Sequence, residues 1–209
     1  MARWRDEKIA DLARQLTYSP ADKRRLQLSA AIDLATHLDP ARSYPWEFIL
    51  FRITGFRPTE PIEHTLGGVA LRADLSQFIE FLSDTLSLNA SDAGTPILTL
   101  EEVMARFGVS SKTIQRWRRQ GLLAQRFIFA EGRKRLGFAV DDVARFAGSN
   151  AERVRKSATF SQLSDTERGR IIRYARWLAV RCHCSMTDLA RRIAKHIDRS
   201  AETIRYTVR

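Results

Sequence analysis

Apolar residues return every three or four positions in three stretches near the amino terminus. Side chains at that interval fall on one face of an α-helix, so each stretch predicts an amphipathic helix. The stretches cover residues 9–16, 26–38 and 71–86. The second ends at Asp39, because the residue before a proline is pushed out of the helical region. We expect one helical domain over residues 1–90.

Residues 44–56 contain an unusual density of aromatic side chains. Large rings bury the most area per residue, so we expect these to fill the core of the helical domain. A surface for protein docking or base stacking is the alternative. The polar stretch 89–96, which comes after the third amphipathic stretch, is the best candidate for a linker.

A helix-turn-helix pattern follows this stretch. Thr99 and Glu102 have the spacing of a capping box, which predicts the start of a helix. Gly108 is placed to end that helix, and Ser110 is placed to cap a second one. The sequence therefore predicts two helices joined by a tight turn.

The second helix has an apolar face and a cationic face. At 100° per residue, Ile114 and Trp117 fall on the inner face, while cations and an amide fall on the outer face and its flanks. Guanidinium groups and amides suit base edges and phosphates in a major groove, whereas an ordinary solvated basic face is the alternative. The predicted DNA contacts on this helix are Ser111, Lys112, Gln115, Arg116, Arg118 and Arg119.

A basic hairpin is predicted next. Short apolar runs flank a turn centred on Gly132, which is typical of two antiparallel strands. The cations at its tip are expected to contact the phosphate backbone as a wing: Arg133, Lys134 and Arg135. A third helix is expected from Asp141, with Val143 and Phe146 inward. Residues 97–150 are thus predicted to form a winged helix-turn-helix domain with a small β-hairpin.

A second helix-turn-helix pattern occupies residues 158–209. Ser164 and Glu167 form another capping box, and two amphipathic stretches follow, 186–197 and 201–209, with a short turn between them. On the last stretch Ile204 points inward. The predicted DNA contacts there are Thr203, Arg205 and Tyr206, and a helical dimer or packing module is the alternative.

The charge of the chain is concentrated in its second half. The net charge is +11 overall, but residues 1–98 carry −2, residues 99–150 carry +5 and residues 151–209 carry +8. This asymmetry points to a polyanionic partner for the second half, with double-stranded DNA favoured by the motifs. The fold class expected is mainly α.

Signs of catalysis, secretion or cofactor binding are weak. There is no glycine-rich phosphate loop and no His-Glu-x-x-His or Gly-x-Ser-x-Gly motif. Cys182 and Cys184 are too few for a disulfide framework, and with His183 between them they make a poor zinc site. The opening residues lack the apolar core of a secretion signal, and no apolar run could cross a bilayer. We therefore expect a cytoplasmic protein without membrane partner, that is not an enzyme and has no cofactor, metal or catalytic residue.

Two family resemblances add to this interpretation. Residues 99–146 resemble the MerR and excisionase type of DNA-binding domain in the order Thr-x-x-Glu, Gly-Val-Ser, Thr-Ile and Gly-Leu-Leu. Four further segments carry a second resemblance: Tyr44 to Gly55, Ser110 to Trp117, Phe160 to Ser164 and the Ile-Arg-Tyr-Thr end. By these segments nearly the whole chain resembles the amino-terminal part of long bacterial sigma-70-like transcription factors.

The second resemblance implies RNA polymerase as a partner and further regions past Arg209. The chain ends inside a recognition helix without a stop signal, so we expect a fragment or a truncated product. The function predicted is a sequence-specific, DNA-binding transcription factor of sigma-70-like type, with two helix-turn-helix modules. A DNA-binding subunit or fragment of a recombinase, transposase or excisionase-like protein is the alternative. The target DNA sequence and the oligomeric state stay open.

Overall fold

The computed structural model describes residues 4–60, 62–158, 165–182, 184–197 and 201–208. The chain divides into two compact units, residues 1–160 and residues 161–209. The predicted fold class, mainly α with a small hairpin, is confirmed. The expectations for residues 160–164, His183, the turn at 198–200 and Arg209 lie outside the described residues.

The first unit begins with helices that enclose one core. Its elements are α1 (Glu7–Leu16), α2 (Ala21–His37), β1 (Ser43–Pro45), α3 (Trp46–Thr54), β2 (Thr65–Gly67) and α4 (Gly68–Asp84). Strands β1 and β2 pair antiparallel, with Tyr44 opposite Leu66. The core forms around Ile9, Ile49 and Phe78, which are fully buried.

The aromatic stretch 44–56 contains the end of β1 and all of α3, and most of its rings lie at the surface. Trp46 is buried, but Phe48, Phe51 and Phe56 are 39%, 38% and 60% exposed. The expectation that these rings fill the core is therefore wrong for the three phenylalanines. The reason is helical periodicity: α3 turns only positions 46, 49 and 53 inward, and two of these are isoleucines.

The second part of the first unit is a winged helix-turn-helix. Its elements are β3 (Ile97–Thr99), α5 (Leu100–Phe107), α6 (Ser111–Arg118), β4 (Gln125–Ile128), β5 (Lys134–Ala139), α7 (Val140–Ser149) and α8 (Ala151–Ala158). The three strands form an antiparallel sheet in the order β3-β5-β4. The capping box of Thr99 and Glu102 is confirmed, and Gly108 ends α5 at a φ of 61°, where a side chain would be strained. Val143 and Phe146 of α7 are buried, as predicted.

The predicted linker at 89–96 is not a free connector. The backbone N–H of Ile128 in β4 donates to the carbonyl of Leu88 over 2.7 Å, and Asn89 bridges the same residue. Leu123, which follows α6, lies in the core of the amino-terminal helices with 3% exposure. The helical part and the winged part therefore pack as one unit, while the three-domain boundaries predicted at 1–90, 97–150 and 158–209 stay predictions.

The second unit contains α9 (Asp165–Arg181), α10 (Met186–Ile197) and α11 (Ala201–Val208). Ile171, Ile193 and Ile204 are fully buried at its centre, which confirms the predicted inward position of Ile204 on α11. Cys182 and Cys184 are free thiols of intermediate burial. In the described part of the chain, no helix is long and apolar enough to cross a membrane.

Candidate DNA-binding surface

Helix α6 is held firmly by its inner face. Ser110 caps it by accepting from the N–H of Thr113. Ile114 and Trp117 are fully buried, and the Trp117 ring lies 5.5 Å from the rings of both Phe107 and Phe146. These contacts fix which face of the helix is turned to solvent, and the predicted inner face is confirmed.

The outer face of α6 carries unpaired cations. Ser111 and Gln115 are exposed beside them. Lys112, Arg116 and Arg119 are exposed, and none of the three forms an ion pair with another described residue. The charges are thus available to phosphates or base edges, which is the arrangement that a recognition helix needs.

Arg118 differs from its neighbours on α6. Its side chain is only 11% exposed, and Nη2 donates to the Glu80 carboxylate of α4. Its Nη1 donates to the Gln115 amide oxygen over 2.8 Å. The sequence predicted Arg118 as a DNA contact because its helical position flanks the cationic face. In the structure an acid from outside the winged domain occupies that flank and holds the guanidinium.

Of the three cations at the tip of the wing, one has no ion-pair partner within the described part of the chain. The turn is closed by the N–H of Gly132, at a φ of 74°, donating to the carbonyl of Phe129 over 2.8 Å. Arg133 is exposed and has no ion-pair partner among the described residues. Lys134 donates from Nζ to the backbone carbonyl of Asp84 over 2.6 Å, and Arg135 pairs with Glu131.

Helix α4 places a carboxylate, Glu80, beside α6, and sequence reasoning missed it. Glu80 contacts Arg118 and also accepts from Nε and Nη2 of Arg126 over 3.1 and 2.8 Å. The buried Ser83 hydroxyl accepts from the backbone N–H of Arg126 over 2.9 Å. A cleft of about 1060 Å³ lies between α4 and α6, with Gln115 and Arg119 on one side.

In the second unit the predicted contacts lie on α11. Arg205 and Tyr206 are exposed, with Tyr206 at 68%, whereas Thr203 is half-buried. Arg205 pairs with Glu202 over 2.6 Å, so part of its charge is neutralised locally. Sequence reasoning passed over Trp177 of α9, which is 51% exposed, stacks on Tyr174 and lies under Arg181.

Two carboxyl groups have perturbed pKa values for structural reasons. Burial raises the pKa of Asp74, although the backbone N–H groups of Arg5 and Asp6 donate to it over 3.0 and 2.9 Å and oppose the shift. Burial also raises the pKa of Asp142, opposed by its ion pair with Arg145. Within the described ranges, no three His, Cys, Asp or Glu side chains are grouped so that they could hold a metal ion.

Comparison with known proteins supports the winged domain alone. Neither the curated proteins nor the solved structures gave a match to the chain. Residues 97–151 match the family model described as a helix-turn-helix domain. The matched range runs from β3 to the start of α8, so it contains both α6 and the wing. The excisionase type of resemblance is thereby confirmed for this range, and the chain carries a helix-turn-helix domain of the kind that binds DNA.

Proposed function

We propose that this protein is a sequence-specific, DNA-binding transcription regulator that acts by binding and without a catalytic step. The observation that carries the proposal is the outer face of α6. Lys112, Arg116 and Arg119 are exposed there without an ion-pair partner among the described residues, and the buried Trp117 fixes the orientation of the helix. The family match to residues 97–151 supports the same reading. On this proposal α6 enters the major groove and the wing contacts the backbone.

The free cations set the expected salt dependence. Each phosphate neutralised by a lysine or arginine releases counterions, so the affinity falls by about 0.9 log units per log unit of salt for each contact. If Lys112, Arg116, Arg119 and Arg133 each meet a phosphate, they contribute a slope of about −3.6. Cations already paired with acids, such as Arg135, should add little.

Binding of the full chain to duplex DNA at several salt concentrations tests the proposal. Arg116→Ala with Arg119→Ala should weaken binding and flatten the slope by about 1.8. Arg14→Ala is the control, since Arg14 is an exposed arginine on α1 at 66% side-chain exposure and should leave binding unchanged. A salt-independent complex, or equal loss in the control, would contradict a role for α6.

A finer form of the proposal is a sigma-70-like initiation factor with RNA polymerase as partner. Only the sequence resemblance at residues 44–55, 110–117, 160–164 and 204–207 supports it. A pull-down of core RNA polymerase by the full chain would test this form, and failure to retain polymerase would leave the simpler DNA-binding regulator.

A DNA-binding accessory protein of recombination is the second candidate, because the matched domain is of excisionase-like type. Such a protein would bend or bridge DNA sites instead of controlling transcription at one promoter. Mapping bound sites across the genome separates the two: sites at promoters favour the regulator, and sites at the ends of mobile elements favour the accessory protein.

A further inference from the structure

Glu80 joins the amino-terminal helices to the winged domain through two arginines. One carboxylate oxygen accepts from Nε and Nη2 of Arg126, and the other accepts from Nη2 of Arg118. The side chains of Glu80 and Arg118 are only 22% and 11% exposed. Charge-assisted hydrogen bonds with this little solvent fix geometry well, because water competes weakly for the donors.

Arg118 passes this geometry on to Gln115. Its Nη1 donates to the Gln115 side chain over 2.8 Å. A guanidinium has five N–H donors and no acceptor, so the amide atom that faces it must be the oxygen. The two N–H donors of the Gln115 amide are therefore left for a ligand, on a residue that is exposed on the outer face of α6.

A glutamine whose amide oxygen is already bound differs from a free one in the base with which it can pair. Free glutamine pairs with adenine by accepting from N6 and donating to N7. Here Arg118 already occupies the amide oxygen, and adenine N6 would have to share it with a fixed cation. Guanine presents two acceptors, N7 and O6, in the major groove, and these match an amide that offers donors.

We propose that Glu80, acting through Arg118, is a positioning residue that makes Gln115 a donor and so directs it to guanine in preference to adenine. The inference rests on the proposed function of α6 as the recognition helix. It also gives the amino-terminal helices a part in DNA recognition without requiring them to touch DNA. Arg118 is on this view a support for the base contact, and it does not make the contact itself.

A purely structural ion pair is the competing explanation, and the two arginines separate the explanations. Arg118→Met and Arg126→Met each remove one cation from Glu80 and lower the charge by the same amount. Only the first change releases the amide of Gln115. A structural role predicts the same result for both variants, namely a general change in affinity or stability, whereas a positioning role predicts that only Arg118→Met alters the base preference.

The experiment first selects preferred sites for the full chain from a randomised duplex library. The same selection with Gln115→Ala identifies the base position whose preference depends on Gln115. The affinities for duplexes with guanine and with adenine at that position are then compared. The parent should bind the guanine duplex about 5-fold or more tightly than the adenine duplex, which is the discrimination that one good base contact provides. Arg118→Met and Glu80→Ala should reduce the ratio to about 2-fold or less, while Arg126→Met should keep the parent's ratio. Asp84→Asn removes a neighbouring acid of α4 and should also keep it.

The outcomes distinguish this inference from the proposed function. Absence of DNA binding by the parent would overturn both. Binding with a preference for adenine at the Gln115 position, or with a ratio that Arg118→Met and Glu80→Ala leave unchanged, would overturn the inference and leave the proposed function standing. Thermal denaturation of each variant identifies any that is unfolded, and Arg118→Met and Glu80→Ala test the same link independently.

Discussion

Replacing Trp117 by alanine should destabilise the first unit without removing any exposed group of α6. The indole is fully buried beneath α6, with its ring edge-to-face against Phe107 and tilted against Phe146. Truncation to alanine leaves a cavity between α5, α6 and α7. The perturbation therefore acts on the packing that orients α6.

The size of the effect follows from two opposing contributions. Loss of a large buried aromatic side chain costs about 3–5 kcal/mol in the free energy of unfolding. However, the indole N–H is buried without a hydrogen-bond partner among the described residues, and a buried unsatisfied donor itself costs about 1–3 kcal/mol. Removing that donor returns part of the loss, so we expect a net cost near the lower end, about 3 kcal/mol.

Calorimetry or urea denaturation of the full chain measures this cost. In a unit of this size, about 3 kcal/mol corresponds to a fall of about 6–12 °C in Tm. Trp117→Phe keeps an aromatic ring and removes the unpaired N–H, so it should cost less than Trp117→Ala. Arg116→Ala, one position earlier on the exposed face, should stay within about 0.5 kcal/mol of the parent. A Trp117→Ala protein that melts within about 2 °C of the parent would show that the faces of α6 are assigned wrongly.

Three further predictions concern other parts of the first unit. Arg133→Ala should weaken binding to specific and random DNA by a similar factor and flatten the salt slope by about 0.9, because a wing tip contacts phosphates; a loss confined to specific DNA would contradict this. Leu123→Ala should cost about 2–5 kcal/mol in denaturation experiments, since this side chain of the winged part is buried in the core of the amino-terminal helices; a cost below 1 kcal/mol would mean that the two parts are not packed together. Because the raised pKa of Asp74 favours its protonated form in the folded state, the stabilisation from this carboxyl is full below its ordinary pKa of 3.8 and is lost as the pH rises through the raised value. The unfolding free energy of the parent minus that of Asp74→Asn should thus fall with rising pH, and a difference that rises instead would refute the direction of the shift.

The winged domain could be predicted from sequence because its signals are local. A capping box needs only Thr99 and Glu102 three residues apart, and Gly108 ends α5 through its own backbone freedom. The faces of α6 follow from helical geometry once its start at Ser110 is known. Each of these features depends on neighbours in the chain, and each is found in the structure.

The aromatic stretch was harder to predict because composition does not fix direction. Counting rings in residues 44–56 indicated a core, but the core positions of α3 depend on where its axis lies against α2. Trp46 falls inward and Phe51 falls outward, under the guanidinium of Arg57 at 4.4 Å. Helical spacing applied to α3, which begins after Pro45, separates Trp46 from Phe51.

The ion pairs of Glu80 could not be predicted from the sequence, because they join residues 38 and 46 positions apart. Nothing local to Arg118 indicates a partner, and helical geometry alone places it at the edge of the cationic face. Glu80 nevertheless changes the role of Arg118, because a guanidinium that already binds a carboxylate and an amide oxygen has little left to offer to DNA.

The contrast in charge between the two halves of the chain also affects the surface available to DNA. Acids of the amino-terminal half neutralise some cations of the basic half. Among the described residues, Lys112, Arg116, Arg119 and Arg133 are left unpaired. The useful quantity for a DNA-binding surface is therefore the charge that remains after these contacts, and it is smaller and more sharply placed than the net charge of +5 for residues 99–150 suggests.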